Sequence, residues 1–396
     1  MKQNNELRLA FVIPRYGPDI LGGAESLTQG YAEHLVQQGW SVEVWTTCAR
    51  DYYTWQNVYP TGVEIINDVM VRRFPTFVNR TPCNQQAPPK AFGNFPETPE
   101  AEYCWAHMGM HSPQLYHYLM RHGANFDALI LLPYSFEFTC YSAHIYPERT
   151  IIWPCLHDDA TAYLEPVRVM LHQARGVILN SHAEKKLLCQ QLDINHQHCQ
   201  VLGYGLEARP GQAERFYERY PQVKPPFLLY AGRLEKGKNV HSLLDYFIEY
   251  TETRQGELNL VLIGRGPVPI PTHPRIFQLG YLSEQDKHDA YAAATILCQP
   301  SLYESFGITL MEAWLQETPV LVHHTCQVTL EHCLAAQGGL YFRDNFEFME
   351  VLDFLLANPN LARHMGLKGK RYVEANYDWH QLIGRLVDTL TAWRVG

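Results

Sequence analysis

Short apolar runs recur along this chain with stretches of helical period between them, and that alternation restricts the fold more than any other feature. In the first half the runs are LAFVIP (9–14), VEVWTT (42–47), ALILLP (128–133), TIIWPC (150–155), GVILN (176–180) and QVLGYG (200–205), with helical stretches such as 24–38 and 182–191 between them. A second series follows YPQVKPP (220–226), a proline-marked stretch that reads as a linker. Its runs are FLLYAG (227–232), LVLIG (260–264), IFQLGY (276–281), TILCQP (295–300), VLVHH (320–324) and GLYF (339–342). Strands covered on both faces read as continuous apolar runs, and parallel strands need a crossover, usually a helix. The sequence therefore predicts an α/β protein with two doubly wound parallel-sheet units in tandem. With 396 residues and 46% hydrophobic content, the chain suffices for two cores; each would serve roughly 200 residues.

Charge and cysteine usage narrow the function classes. The net charge is −9 and neither half is basic, which excludes the electrostatic footprint of a nucleic-acid binder. The opening MKQNNELRLAFVIP holds too short an apolar run for a signal-peptide core or a membrane span. The ten cysteines include no CxxC pair, so neither a zinc site nor a disulfide framework is expected. A reduced, cytoplasmic protein follows, with the inner face of the membrane as the alternative. Residues 75–100, rich in Pro and Asn, read as a long loop beside a central cleft. In CWAHMGMH, Cys104, His107 and His111 fall at i, i+3 and i+7, one face of a helix. Zinc takes four ligands in a structural site, or three and an open position in a catalytic one; no fourth ligand is near in sequence, and the aromatic and Met neighbours favour plain packing.

Ligands of doubly wound sheets lie off the carboxyl ends of the strands, and two facing units would put the site in the cleft between them. After FLLYAG comes RLEKGKN, with Arg233 at the strand tip and Lys238 five residues on, just before a helix at Asn239. Two fixed cations beside a helix start suit a diphosphate; a solvated basic turn is the plainer alternative. PSLYESFGITLMEAW (300–314) tips the balance. Gly307 lets a ligand approach the amides of 306–309, Glu304 precedes that surface, and Glu312 lies about one turn inside the next helix. Carboxylates accept hydroxyls and repel phosphates. Phosphates in the middle with hydroxyls at both ends describe a nucleotide sugar.

These segments resemble a known family. YAGRLEKGKNV, LVLIGRGP, LGYLSEQDKHDAYAAATILCQPSLYESFGITLMEAW and ETPVLV are similar to the donor domain of the retaining glycosyltransferases of family four, which have the two-domain GT-B fold. GGAES (22–26), VILNSHAEKKLL (177–188) and VLGYGLE (201–207) resemble that family's acceptor domain. The resemblance implies two Rossmann-like domains facing a central cleft: an acceptor-side domain over 1–206, a donor domain over 207–378, and a final helix over 379–396 crossing back, with Trp379 at the crossing. It implies that Arg233 and Lys238 hold the donor diphosphate, that Glu304, Ser305 and the main chain of Phe306, Gly307 and Ile308 face the sugar and phosphates, and that Glu312 binds the ribose. Gly280, Tyr281 and Leu282 would pack against the base. Gly22 and Gly23 would close toward the diphosphate, and His157 would stand near the transferred sugar.

The expected activity is transfer of a glucose-type hexose, with retention, from a UDP-linked donor to a glycan or glycolipid of the cell surface. No cofactor beyond the nucleotide sugar is implied. No two aspartates lie two apart, and Asp158 and Asp159 would point to opposite sides of an extended chain, so no metal is expected. A sugar-nucleotide epimerase and a non-catalytic nucleotide-sugar-binding subunit are the rival readings; a dinucleotide oxidoreductase fails because LGGAES is not GxGxxG. A weak peripheral membrane contact through the aromatic-rich 75–120 region stays open, without electrostatic help from its charge. One departure from the family stands out: ETPVLV continues into HHTCQVTLEHC rather than a small Gly-rich turn, so the 323–333 loop either differs or meets substrate. Within it, Cys326 and Cys333 read as core filler and a helix face, and His323 and His324 as polar groups at a strand end.

Overall fold

The structure, a computed structural model, describes residues 7–20, 22–79, 98–254 and 256–393. The chain divides into two compact units, Met1–Gly205 with Trp379–Gly396, and Leu206–Asp378.

The first unit contains β1 (Arg8–Val12), β2 (Ser41–Thr47), β3 (Gly62–Ile66), β4 (Val69–Phe74), β5 (Phe77–Asn79), β6 (Gly109–His111), β7 (Ala128–Leu131), β8 (Thr150–Ile152), β9 (Gly176–Leu179) and β10 (Cys199–Val201). Eight of these form one sheet in the order β10-β9-β8-β7-β1-β2-β4-β3. It is parallel except at the β3–β4 edge. The winding direction reverses at β1, which pairs with β2 on one side and β7 on the other. Apolar side chains fill both faces. One face is closed by the helix Trp379–Ala392, whose Leu382, Ile383, Leu386 and Leu390 join Tyr31, Leu35 and Trp153. The other packs Trp45, Phe138 and Met170 against Leu129 and Leu131.

The second unit holds β11 (Phe227–Ala231), β12 (Asn259–Ile263), β13 (Ile276–Gly280), β14 (Ile296–Gln299), β15 (Val320–His323) and β16 (Gly339–Phe342). All are parallel, in the order β13-β12-β11-β14-β15-β16. This is the doubly wound order, and its switch point lies between β11 and β14.

Several details differ from the sequence expectations. The proline-marked 220–226 stretch is not the boundary between units: a helix, Ala213–Arg219, already belongs to the second unit, and Arg215 ties it to Asp289 at 2.7 Å. The prolines instead lead into β11, where Pro226 contributes only its carbonyl, to the amide of Asn259. The helix expected over 182–191 runs from His182 to Lys186 and continues as a π-helical turn over Leu187–Gln191. Cys104, His107 and His111 do not share a helical face. The helix Pro99–His107 ends before Gly109, whose φ of +98° turns the chain, and His111 belongs to β6. Of the 75–100 stretch expected as a loop, 77–79 pair with 109–111, and 80–97 lie outside the described residues.

Candidate functional site

At the switch point of the second unit, the chain leaves β14 through Gln299, a buried amide at the end of an apolar strand. Its Nε2 donates to Glu304 Oε1 at 2.7 Å and to Ser301 Oγ at 3.2 Å, and its Oε1 accepts from Thr309 at 3.3 Å. A single side chain thereby fixes both ends of the loop between β14 and the helix Ile308–Leu315. Lys238 completes the arrangement, placing Nζ 2.7 Å from the same Glu304 oxygen, with both side chains more than four-fifths buried. Lys238 gets there because the β11 loop closes a 3-10 turn at Lys236–Lys238, after which Asn239 takes the left-handed conformation and the helix Val240–Thr253 begins. The helix thus starts one residue later than expected.

Gly307 precedes the helix Ile308–Leu315 with φ +84° and ψ +53° and offers no side-chain cap, so the helix's first amides are left to other acceptors. A Cβ here would lie 3.2 Å from Thr329 Cγ2. Left-handed backbone costs a residue with a Cβ about 1–2 kcal/mol. Gly307→Ala should therefore lower unfolding stability by about that amount, seen as an earlier urea midpoint with unchanged slope. Thr329 belongs to the helix Gln327–Ala336, so the bulky 323–333 segment packs directly beneath the loop. His332 of the same helix meets the Phe306 ring edge-on at 5.3 Å, while Cys326 and Cys333 are buried.

Glu312 does not join the Lys238–Glu304 pair. Its Oε1 accepts from Lys287 Nζ at 2.8 Å and its Oε2 from Tyr291 Oη at 2.9 Å. Arg233 also stands apart: its guanidinium, about half exposed, is paired with Glu235 at 3.1 Å. The expected two-cation grip is therefore represented here by one cation. A short ion pair two residues away in sequence is a cheap rest position for an exposed arginine. Ser305 is half-buried, and the Phe306 side chain turns into the core. Gly280 closes β13 with φ +73°, Tyr281 lies exposed under the Arg265 guanidinium at 5.4 Å, and Leu282 is half-buried.

Residues 214–372 match the family described as glycosyl transferases group 1. That match lies wholly within the second unit. Among curated relatives, a trehalose synthase of Rubrobacter xylanophilus is 27% identical over 39% of this chain and 41% of its own length. The chain thus spans well under half of that relative. An uncharacterized glycosyltransferase of Methanocaldococcus jannaschii is 23% identical over 80% of each chain. Among solved structures, sucrose-phosphate synthase from Thermosynechococcus elongatus superposes with a TM-score of 0.71 at 17% identity, covering 97% of this chain and 99% of that one. Anabaena HepE in complex with UDP-glucose superposes at 0.69 with 15% identity, covering 98% and 100%. At such identities the likeness establishes the fold, which is GT-B.

In the second unit a cavity of about 670 Å³ opens elsewhere, lined by Pro226, Leu258, Thr295 and Pro319 at the amino ends of β11, β12, β14 and β15. Doubly wound sheets bind at the carboxyl edge, and that is where the Lys238–Glu304 pair lies beside the Gly307 turn, which makes this edge, and not that cavity, the candidate site. Three metal-capable side chains, Glu284, His288 and Glu312, come within 4.8 Å of one another. The Lys287 ammonium bonds both Glu284 and Glu312, so a cation already satisfies this cluster.

In the first unit, Gly22 is extended and precedes the helix Gly23–Gln37, where Glu25 pairs with the buried Arg15. His157 follows β8, its ring 6.4 Å from that of Tyr134. Asp158 and Asp159 face different partners: Asp158 accepts from Tyr163 Oη, whereas buried Asp159 accepts from Tyr134 Oη and caps the turn Ala160–Tyr163. Burial pushes the Asp159 carboxyl group above the usual range. Sequence reading missed Gln299, Lys287, Tyr291 and Glu137. Gln299 was visible as a polar residue closing an apolar run, and Lys287 and Tyr291 as an i, i+4 pair. Glu137, pushed up to about 8 by burial, had no signal in the sequence. Among the described residues, no helix is long and apolar enough to cross a membrane.

Proposed function

We propose that this protein is a retaining glycosyltransferase that moves a glucose-type hexose from UDP to a hydroxyl of a glycan or glycolipid acceptor in cell-surface polysaccharide synthesis. The observation that carries the reading is the Lys238–Glu304 pair, 2.7 Å apart and mostly buried, beside the Gly307 turn at the switch point of the unit that matches the group 1 family. Superposition on a HepE structure that holds UDP-glucose supports the choice of UDP.

In this reading the diphosphate lies on the amides that follow Gly307, with Lys238, still held on Glu304, adding a hydrogen bond from its ammonium to a phosphate oxygen. Arg233, paired at rest with its neighbour Glu235, swings in to add a second cation. As the bond between the anomeric carbon and the diphosphate oxygen breaks, negative charge grows on that oxygen. Lys238, held in place by Glu304, and the helix amides stabilise this charge without reorganising, and such preorganised stabilisation supplies most of the rate enhancement in many enzymes. Glu304 accepts a sugar hydroxyl, Glu312 the ribose hydroxyls, and Gly280–Leu282 pack the base. The acceptor oxygen bonds to the anomeric carbon on the face the diphosphate leaves, and its proton passes to a phosphate oxygen. His157, Gly22 and Gly23 serve the sugar and acceptor side. The positive charge is supplied by side chains and amides, and transfer needs no metal.

The test uses purified protein with UDP-glucose, UDP-GlcNAc and GDP-mannose, measuring binding by calorimetry and slow donor hydrolysis by product analysis. Micromolar binding of one UDP-sugar, abolished by Glu304→Ala and Arg233→Ala, is expected. Failure to bind any nucleotide sugar would overturn the reading, and conversion of the donor's sugar without hydrolysis or acceptor would indicate epimerisation instead.

A further inference from the structure

Glu312 is a buried carboxylate of the second unit. A buried carboxylate persists only where donors compensate its lost hydration. For Glu312 both come from the helix Glu284–Ala293: Lys287 to Oε1 at 2.8 Å and Tyr291 to Oε2 at 2.9 Å. The two sit four residues apart and so share one helical face. A carboxylate has about four lone-pair sites, and this clamp uses one on each oxygen, leaving capacity on both. Lys287 is itself pinned from behind by Glu284 at 3.0 Å, so its ammonium is fixed between two carboxylates.

We infer that Lys287 is a positioning residue for the donor: with Tyr291 it holds the Glu312 carboxylate in one orientation, so that its remaining lone pairs take the vicinal hydroxyls of the nucleotide ribose. This rests on the nucleotide-sugar reading above and adds to it a residue outside the glutamate motif. The surroundings leave the task to Lys287. His288 faces Glu312 from the same helix, but burial holds its pKa below the usual value, so it brings no charge at neutral pH. Burial also opposes the charge of Lys287, but Glu312 and then Glu284 outweigh it and raise its pKa. Arg209 stands near His288 and is paired with Glu207. From the helix Pro359–Asn376, packed on the same element, Lys370 reaches Glu317 rather than Glu312, while Gly369 meets the Trp314 ring. Beneath, β14 and β15 bring the buried thiol Cys298 and, at the strand end, His323, whose pKa burial also lowers.

The test compares wild type with Lys287→Met, Lys287→Arg, Tyr291→Phe, Glu312→Gln and the Lys287→Met/Glu312→Gln double variant. UDP affinity is read by calorimetry, and donor KM and kcat by steady-state transfer. Without the ammonium, Glu312 loses the donor that fixes its Oε1. Lys287→Met should therefore weaken UDP binding about 10- to 100-fold. KM should rise with kcat at saturating donor nearly unchanged, Lys287→Arg should restore most of the affinity, and the double variant should bind no worse than Glu312→Gln alone. Should Lys287→Met fail to fold, Tyr291→Phe removes only one donor and should cost about two- to fivefold in affinity. A folded Lys287→Met that binds UDP like wild type overturns the assignment alone, as does a Tyr291→Phe without loss or losses that multiply in the double variant. Wild-type protein that binds no nucleoside diphosphate overturns the donor reading itself.

Discussion

Replacing Lys238 with methionine is expected to reduce hexose transfer about a hundred- to a thousandfold, the range seen when one preorganised donor to a developing oxyanion is removed. The side chain is worth that much because of where it is held. Its ammonium lies 2.7 Å from Glu304 in a largely buried setting, with Gln299 on the same carboxylate oxygen. A charge already desolvated and aimed needs no reorganisation when the diphosphate departs. The folded state should suffer less. Glu304 keeps Gln299 as a donor, so the cost in stability is about 1–3 kcal/mol, the usual penalty for a partly stranded polar group. Lys238→Met combined with Glu304→Gln separates the two roles: the pair of neutral side chains should recover most of the lost stability and none of the lost rate. Activity within a few-fold of wild type in Lys238→Met would show that the ammonium serves only the ion pair.

Trp379→Ala should be the most damaging single truncation to stability, about 3–5 kcal/mol, as for a large aromatic removed from a packed core. Trp379 opens the last helix of the chain and is buried in the first unit. His34 stacks on it at 4.3 Å, Tyr31 meets it edge-on at 5.1 Å, and Tyr204 lies at 5.8 Å. Gly30 and Gly205 are shaped around the indole: a Cβ at either would fall within 2.3 Å of its ring. No neighbouring side chain can collapse into that slot without moving helix Gly23–Gln37. Urea unfolding should show the midpoint of the first unit falling well below that of the second. An unchanged first transition would mean the terminal helix is held by Leu382, Ile383 and Leu386 alone.

Much of the fold was legible because its strands are buried on both faces. ALIL, GVIL and FLLYA read as continuous apolar runs because no solvent face imposes alternation, and each appears as a strand at its expected place. The element boundaries that failed were set by interactions periodicity does not encode. The proline-marked 220–226 stretch resembled a linker by composition, yet the helix before it is tied down by Arg215 and Asp289, residues 74 positions apart. At the site, what is local in sequence could be read: Gly307 at a left-handed turn, and Glu304 and Glu312 flanking it. What depends on tertiary pairing could not. Nothing in RLEKGKN distinguishes Lys238, which turns inward to Glu304, from Arg233, which rests on Glu235. Nor does the spacing of the glutamates disclose that Glu312 is already clamped from a neighbouring helix by Lys287 and Tyr291.

The central claim is that the carboxyl edge of the second sheet, between β11 and β14, holds a nucleoside diphosphate. Amide hydrogen exchange of the full chain, followed by mass spectrometry with and without saturating UDP, tests it most directly. Peptides covering residues 232–240 and 303–313 should gain protection, while those lining the cavity at the opposite edge, around Pro226, Thr295 and Pro319, exchange as before. Protection confined to that opposite edge, or none at either edge under conditions where UDP is bound, would contradict the account.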